Sequence, residues 1–169
     1  MQRAPFSAGL AMVAGLLASA FLSQGAVAQT ADQSATLLTV LAPDGSEIAH
    51  FDIEALKALP SASFDTTTIW TEGMQSFTGV PLSALMAEVA PEATKIDATA
   101  VNDYSVQIPA SDWANDDAIL AYERNGAPMS LREKGPLWIV YPYDASSDYR
   151  KEIIYARSIW QLDRIRIVD

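Results

Sequence analysis

Apolar and polar positions alternate along most of this chain in short segments that are separated by turn residues. This period of two residues is typical of half-buried β-strands. Strands are predicted over residues 36–41, 47–51, 64–70, 95–101, 104–108, 118–124, 137–141 and 160–168. The first two are joined by Asp44-Gly45, a pair that favours a tight hairpin turn. In the closing strand 160–168, Arg164 and Arg166 fall on the polar face.

Helical spacing of apolar residues occurs in only a few short stretches. A helix is predicted over 53–59, where Asp52 is suited to accept a hydrogen bond as the N-cap. A second helix is predicted over 81–89, with Pro81 in its first turn. Residues 153–157 fit a helix or a strand equally well.

Two stretches are predicted to be irregular. Residues 71–75 form a break between the strand 64–70 and the helix that follows, and residues 142–151 form a polar loop. Many short strands with two or three short helices indicate an α+β fold. We therefore predict a single domain over 36–169 with a mixed, curled β-sheet and short helices.

The N-terminal region has the pattern of a secretory signal peptide. Arg3 supplies a positive charge, residues 8–22 are largely apolar, and Ala26-Val27-Ala28 forms a small-x-small cleavage site. We expect a signal peptide over 1–28, a flexible leader over 29–35, and a periplasmic protein that is not embedded in the membrane after cleavage. An uncleaved N-terminal anchor is the alternative.

Composition excludes several classes of function. The chain carries a net charge of −10, which opposes binding to nucleic acid and to anionic lipid. It has no Cys and one His, His50, so disulfides and His-rich zinc sites are excluded. No G-x-S-x-G motif and no Gly-rich phosphate loop occurs. We therefore predict no catalytic residue and no metal ligand.

Three motifs occur in a fixed order after residue 76. They are FTGVPLSALM at 77–86, DAILAYERNGAPM at 117–129 and GPLWIVYP at 135–142, followed by SIWQLDRI at 158–165. The ordered set resembles the molybdopterin-binding domain of sulfite oxidase-type oxidoreductases. The resemblance covers the chain from Phe64 to the C-terminus and implies that fold.

The chain departs from that family at the metal site. The family binds molybdenum through one Cys shortly before the first motif, but residues 68–71 here are Thr-Ile-Trp-Thr. Without a thiolate the metal lacks its protein ligand, so we expect no molybdenum. The chain is similar to small exported relatives without Cys, which implies a periplasmic pterin-binding protein. It also implies a membrane-bound signalling partner, such as a cyclic-di-GMP enzyme or a sensor kinase.

A pterin is a flat bicycle with a donor–acceptor edge, and binding it requires an aromatic face and a few polar groups. The resemblance and the residue types together give a set of candidate pterin contacts. These are Trp70, Thr71, Met74, Arg124, Asn125, Tyr141, Tyr143, Asp144, Arg150, Tyr155, Arg157 and Ser158. Trp70 is either the stacking face or a core residue at a strand end. Arg124 can donate to the pterin carbonyl oxygen, and Asp144 can accept two N–H groups.

Three functions remain open from the sequence. The first is a non-catalytic pterin-binding sensor that passes its ligand state to the membrane partner. The second is a molybdopterin-dependent oxidoreductase or a subunit of one. The third is a protein-interaction domain whose pocket is vestigial.

Overall fold

The computed structural model describes residues 35–168. The predicted signal peptide and residues 29–34 of the predicted leader lie outside the described residues. No helix between residues 35 and 168 is both long enough and apolar enough to cross a membrane.

The described chain consists of short strands, three short α-helices and three 3-10 turns. The strands are β1 Leu38–Leu41, β2 Glu47–Phe51, β3 Ala62–Thr67, β4 Met74–Pro81, β5 Lys95–Ala100, β6 Ser105–Pro109, β7 Ile119–Arg124, β8 Ala127–Pro128, β9 Trp138–Val140 and β10 Leu162–Val168. The helices are α1 Ile53–Ala58, α2 Leu82–Val89 and α3 Glu152–Arg157, and the 3-10 turns span Ala110–Asp112, Leu131–Glu133 and Ser147–Arg150.

The first sheet is mixed and has the strand order β2-β1-β10-β5-β6. β1 runs parallel to β10, and the other neighbours are antiparallel. One face is apolar because alternate residues, such as Val40, Ile96 and Ile165, are fully buried. The opposite face carries polar residues that include Arg164 and Arg166, as the alternation in the closing strand predicts.

The second sheet is antiparallel and has the order β3-β4-β7-β8, with β9 also paired to β7. β7 lies in the middle, and its first four residues, Ile119 to Tyr122, are all buried. A strand that is covered on both faces has no polar alternation, which explains its continuous apolar sequence. A bulge between Thr78 and Gly79 interrupts the pairing of β4 with β7.

Side chains of both sheets pack into one core. Leu38 and Ile165 of the first sheet and Phe77 and Ile139 of the second belong to the same buried cluster. Helix α2 adds three buried side chains, Leu82, Leu85 and Met86. The prediction of a single α+β domain with short helices is confirmed, and its strands are divided between two sheets.

Several local predictions are changed by the structure. The strand predicted over 64–70 ends at Thr67, and Met74 and Gln75, predicted to lie in a break, begin β4. The physical reason is the antiparallel pairing of β3 with β4, in which Thr67 lies opposite Met74. The ambiguous stretch near the C-terminus is helical, as α3. The N-cap prediction is confirmed, because Asp52 accepts a hydrogen bond of 2.8 Å from the Ala55 amide.

Candidate functional site

The connection between β3 and β4 carries Trp70 into a cluster of aromatic rings. The Thr68 hydroxyl accepts a hydrogen bond of 3.1 Å from the Trp70 amide and lies 2.8 Å from the Thr71 hydroxyl. These short-range bonds fix a compact turn, since Thr side chains readily bond the backbone two residues ahead. Trp70 is consequently directed inward from a loop rather than from a strand.

Four aromatic rings surround Trp70 in edge-on geometry. The ring centroids of Trp160, Tyr155, Trp138 and Tyr143 lie 5.5, 5.6, 5.8 and 6.1 Å from that of Trp70. The interplanar angles are between 66° and 86°, which is the favourable T-shaped arrangement. Trp70 is half-buried. It therefore packs as a core residue on one side and remains accessible on another.

The accessible side of Trp70 faces a cleft of about 500 Å³. The cleft lies among the loop 68–73, the turn between β5 and β6, helix α3 and the segment that leads into β10. Its lining residues are Ile69, Trp70, Ala100, Asn102, Tyr104, Glu152, Tyr155, Ala156, Ser158, Ile159, Trp160 and Gln161. Among the described residues that line it there is no Lys, Arg or His, and Glu152 is the one charged side chain.

Trp160 is also in contact with a cation that is not part of the cleft lining. The Lys134 ammonium lies 4.0 Å from the centroid of the Trp160 ring and 5.7 Å from that of Trp138. Burial lowers the pKa of Lys134, and the charge of nearby Arg124 lowers it further. A cation over an indole face is favourable and holds that ring in place.

A hydrogen-bonded network lies behind the aromatic cluster. The Tyr141 hydroxyl donates to Asp112 over 3.0 Å, and one Arg157 nitrogen donates to both Asp112 oxygens over 3.1 Å. The Tyr143 hydroxyl donates to the Ser158 hydroxyl over 2.7 Å. Burial raises the pKa of both tyrosines well above the usual range. The polar ends of these side chains are therefore bonded to the protein itself.

Asp144 is bonded to the end of β3. One carboxylate oxygen accepts from the Thr67 amide over 2.5 Å, and the other accepts from the Thr67 hydroxyl over 2.9 Å. The Asp144 amide in turn donates to the Thr66 hydroxyl over 3.1 Å. The bond from the Thr67 amide holds the pKa of Asp144 below its ordinary value. Asp144 thus anchors the loop that carries Trp70.

The structure brings only part of the predicted set of pterin contacts to the cleft. Trp70, Tyr155 and Ser158 line it. Tyr141, Tyr143 and Arg157 lie in the network behind it, and Thr71 lies in the turn beside Trp70. Met74 and Arg150 are exposed outside the cleft lining, and Asp144 is bonded to Thr67. A pterin contact by any of these residues stays a prediction.

Arg124 and Asn125 belong to the turn that joins β7 to β8. Arg124 lies 3.6 Å from Glu133, and the Asn125 side chain accepts from the Ser76 amide over 2.9 Å. Asn125 has a φ of 53°, the left-handed conformation that Asn tolerates in turns. Their side chains therefore stabilise the second sheet and do not line the cleft.

The sequence prediction missed residues on both sides of the cleft. Asn102 and Tyr104 come from the turn between β5 and β6, which belongs to none of the three motifs. Trp160 and Glu152 also line the cleft, and neither belongs to the predicted set of pterin contacts. No sequence pattern indicates a role for Asp112, because only the fold brings its carboxylate next to Tyr141 and Arg157.

No group of three or more His, Asp or Glu side chains within residues 35–168 is arranged to hold a metal ion. The full sequence contains no Cys.

Comparison with known proteins identifies the fold. The family model described as oxidoreductase molybdopterin binding domain matches residues 45–154. The crystal structure of the sulfane dehydrogenase SoxCD from Paracoccus pantotrophus is similar, with a TM-score of 0.58 and 22% identity. The similarity covers 81% of this chain and 39% of that chain, and at this identity it shows the fold alone. No curated protein sequence gives a significant match.

Proposed function

Because this chain belongs to the oxidoreductase molybdopterin-binding domain family, we propose that it binds a pterin in the cleft beside Trp70 and catalyses no redox reaction of its own. The observation that carries the proposal is the lining of the cleft. Trp70, Tyr155 and Trp160 supply aromatic surface. The Asn102 amide nitrogen and the Gln161 amide oxygen can pair with the donor–acceptor edge of the ring, while the other atom of each amide is bonded to the Tyr104 amide and to the Leu131 carbonyl oxygen, respectively.

The residues of the cleft fit the pterin ring better than the complete molybdenum cofactor. Molybdopterin carries a phosphate group, and the cleft lining contains Glu152 but no cation to receive it. The thiolate that ligates molybdenum in the family has no counterpart, since the chain has no Cys. We infer that the ligand is an uncharged pterin without phosphate and without molybdenum.

Glu152 is the group in this cleft best suited to recognise the pterin edge. An ionised carboxylate accepts hydrogen bonds only, and the amino-pyrimidinone edge presents two neighbouring N–H groups. The sequence assigned this role to Asp144, whose oxygens are bonded to Thr67 instead. Glu152 belongs to the first turn of α3 and lines the cleft.

Fluorescence titration with tetrahydrobiopterin and with biopterin tests the proposal, since Trp70 and Trp160 line the cleft. We expect quenching of Trp fluorescence that saturates. Ala156→Tyr should abolish it by filling the cleft without removing a packed side chain. Ala87→Tyr, at an exposed position of α2, is the matched control and should bind normally. Absence of quenching by both pterins in the unmodified protein would refute the proposal.

The charge of Glu152 is tested by a second pair of variants. We expect Glu152→Gln to weaken binding of the pterin, because the amide replaces one of the two acceptor oxygens by an N–H donor that would face a pterin N–H group. Glu88→Gln removes the same charge at an exposed position of α2 and should leave binding unchanged. If both variants and the unmodified protein bind the pterin with equal affinity, Glu152 does not contact the pterin.

The second candidate is a molybdopterin-dependent oxidoreductase or a subunit of one. The family model favours it, because the family is described as an oxidoreductase domain. Metal analysis of protein purified from its native compartment separates the two functions. Stoichiometric molybdenum would support the oxidoreductase and contradict a metal-free binding protein.

We further propose that the protein is periplasmic and reports pterin binding to a membrane-bound partner, such as a cyclic-di-GMP enzyme or a sensor kinase. The exposed apolar side chains at the cleft support an interaction: Ile69 is 63% and Tyr104 is 52% exposed, and both line it. Crosslinking in the periplasm should capture the partner in a pterin-dependent manner. Capture that does not depend on pterin would instead indicate an interaction domain with a vestigial pocket.

A further inference from the structure

Aromatic rings form a continuous series from the cleft to the opposite side of the cluster. Trp70 lines the cleft, and its ring centroid lies 6.1 Å from that of Tyr143. Tyr143 is 6.4 Å from Tyr141, and Tyr141 is 6.3 Å from Tyr149. Tyr149 is half-buried on the 3-10 turn Ser147–Arg150. Successive rings are at the separations of aromatic side chains in contact. We call Trp70, Tyr143, Tyr141 and Tyr149 the aromatic series.

Trp and Tyr are also the side chains that lose one electron most readily when Cys is absent, as it is here. Electronic coupling falls steeply with separation, so rings in contact exchange an electron far faster than rings placed apart. The aromatic series therefore meets the first requirement for moving an oxidising equivalent through the protein.

The second requirement is a base for the phenol proton, because an oxidised tyrosine is strongly acidic. Tyr141 has one: its hydroxyl donates to Asp112 over 3.0 Å. Asp112 keeps only 7% of its side chain exposed, and Arg157 holds both of its oxygens. Tyr143 instead donates to the Ser158 hydroxyl, which donates onward to the Ile154 carbonyl oxygen. Ser158 is not a base, so Tyr143 can relay an electron but cannot readily release its proton.

We propose that the aromatic series carries one-electron oxidising equivalents from the cleft to Tyr149, with Asp112 as the proton acceptor for Tyr141. The proposal goes beyond pterin binding and does not depend on the identity of the ligand. Its oxidant is a photoexcited aromatic heterocycle bound in the cleft, which takes one electron and becomes its radical anion.

The steps balance as follows. The oxidant takes one electron from Trp70. Tyr141 then supplies an electron to Trp70 through Tyr143. Tyr141 gives its phenol proton to the Asp112 carboxylate and becomes a neutral radical. Tyr149 then supplies an electron to Tyr141, the proton returns from Asp112 to Tyr141, and Tyr149 releases its own proton to Asp117 or to water. An external reductant such as ascorbate restores Tyr149 by giving one electron and one proton.

Burial and the neighbouring Asp117 raise the pKa of Tyr149 to about 12. Tyr149 therefore keeps its proton in the resting protein and releases it only when it is oxidised. Its position on an exposed turn makes it the member of the series that a reductant in solution can reach.

The absence of Cys allows a site-specific test. Ala156→Cys, at the cleft, can be labelled with a single ruthenium tris-bipyridine photo-oxidant, which a flash and an external quencher convert to Ru(III). Every protein tested also carries Tyr104→Phe and Tyr155→Phe, since both tyrosines line the cleft and would be oxidised directly. Four of the chain's six Tyr then remain, and Tyr122 is the one outside the series.

We expect a tyrosyl radical, identified by its EPR spectrum, in the labelled protein. Tyr141→Phe and Asp112→Asn should each lose the tyrosyl signal and leave a tryptophan radical. Tyr122→Phe is the control, because Tyr122 is buried and its hydroxyl lies 3.3 Å from Ser61, away from the series. Its signal should match that of the labelled protein.

Tyr149→Phe provides a second test if Tyr141→Phe or Asp112→Asn does not fold. Tyr149 is only half-buried, so we expect its replacement to leave the fold intact. We expect its tyrosyl radical to form at Tyr141 and to resist ascorbate, since Tyr141 is fully buried. A tyrosyl signal that survives Tyr141→Phe would overturn the proposal. So would a labelled protein that forms only a tryptophan radical, or a Tyr149→Phe radical that ascorbate reduces as fast as before.

Discussion

At single positions, the two Asp residues around the aromatic cluster have different tasks. Asp112 closes a buried network with Tyr141 and Arg157, whereas Asp144 is exposed and holds the end of β3. Asp112 binds the Tyr141 hydroxyl, and Asp144 binds the amide and the hydroxyl of Thr67 just before the loop that carries Trp70. Each carboxylate therefore helps to position an aromatic ring. The ligand-facing carboxylate is a third residue, Glu152, on a different element.

The anchoring role of Asp144 predicts a pH-dependent stability. Its folded-state pKa is depressed below its ordinary value, chiefly by the hydrogen bond from the Thr67 amide. Such a group stabilises the fold above the unfolded-state pKa and loses this effect as the pH falls through the folded-state pKa. We therefore expect Asp144→Asn to lower the free energy of unfolding at neutral pH, and this difference to shrink as the pH falls below the ordinary pKa of an Asp side chain.

Urea unfolding of the unmodified protein and of Asp144→Asn at several pH values measures the effect. Asp65→Asn is the control. Asp65 is exposed on β3, the strand that Asp144 holds at Thr67, and its side chain makes no hydrogen bond to the part of the chain that the structure describes. Its effect should be small at every pH. A difference for Asp144→Asn that is constant with pH would contradict the anchoring role of the charge.

At the level of strands and helices, the sequence predicts those elements whose pattern is local. The alternation of β1, β5 and β10 and the capping of α1 by Asp52 are each visible within a few residues, and the structure contains them. β4 was missed because Gly79 and Pro81 are turn and helix signals in isolation. Its conformation is set by β3 and β7 on either side, which are partners that the sequence does not identify.

The candidate site could be predicted only in part for the same reason. Trp70, Tyr155 and Ser158 lie near the motifs that carry the family resemblance, so they were found. Asn102 and Tyr104 reach the cleft because β5 lies next to β10 in the first sheet, which is a property of the sheet order. No local pattern specifies that neighbourhood.

Close packing of β4 against β7 predicts a strong effect at Gly79. A Cβ atom at this position would overlap the Leu120 carbonyl oxygen and lie 2.6 Å from the Ala121 Cα. Because both are backbone atoms, the strands must separate. We expect Gly79→Ala to cost about 3 kcal/mol of unfolding free energy, as for other overpacked interiors.

Gly73→Ala is the comparison for this measurement, made by thermal or urea unfolding. A Cβ at Gly73 would meet no described atom within 4 Å, but its φ is +67°. Only the backbone penalty applies there, so we expect a loss of about 1 kcal/mol. Equal losses of unfolding free energy at the two positions would mean that β4 and β7 pack less closely than in this structure.

For the molecule as a whole, the shared core and the charge act in opposite directions. A net charge of −10 places like charges on one small surface and favours expansion. No disulfide opposes this, since the chain has no Cys. The stability of the domain therefore rests on the single buried cluster to which both sheets contribute.

A single core predicts that the two sheets unfold together. Ile165 of the first sheet and Ile139 of the second are both fully buried, so replacing either by Ala should cost about 3 kcal/mol. Fluorescence reports mainly on the second sheet, because Trp138 belongs to β9 and Trp70 and Trp160 pack against it. Far-ultraviolet circular dichroism reports on both sheets. In a two-state transition the two signals change together in every variant.

The decisive variant is Ile165→Ala, because it is made in the first sheet, whose strands contain no Trp. We expect its fluorescence and circular dichroism midpoints in urea to fall by the same amount. Ile48→Ala is the control, since Ile48 is 48% exposed on β2 and its loss should change stability by less than about 0.5 kcal/mol. A fluorescence midpoint that stays fixed while the circular dichroism midpoint falls would mean that the sheets unfold separately. In that case the buried cluster would be two cores in contact rather than one.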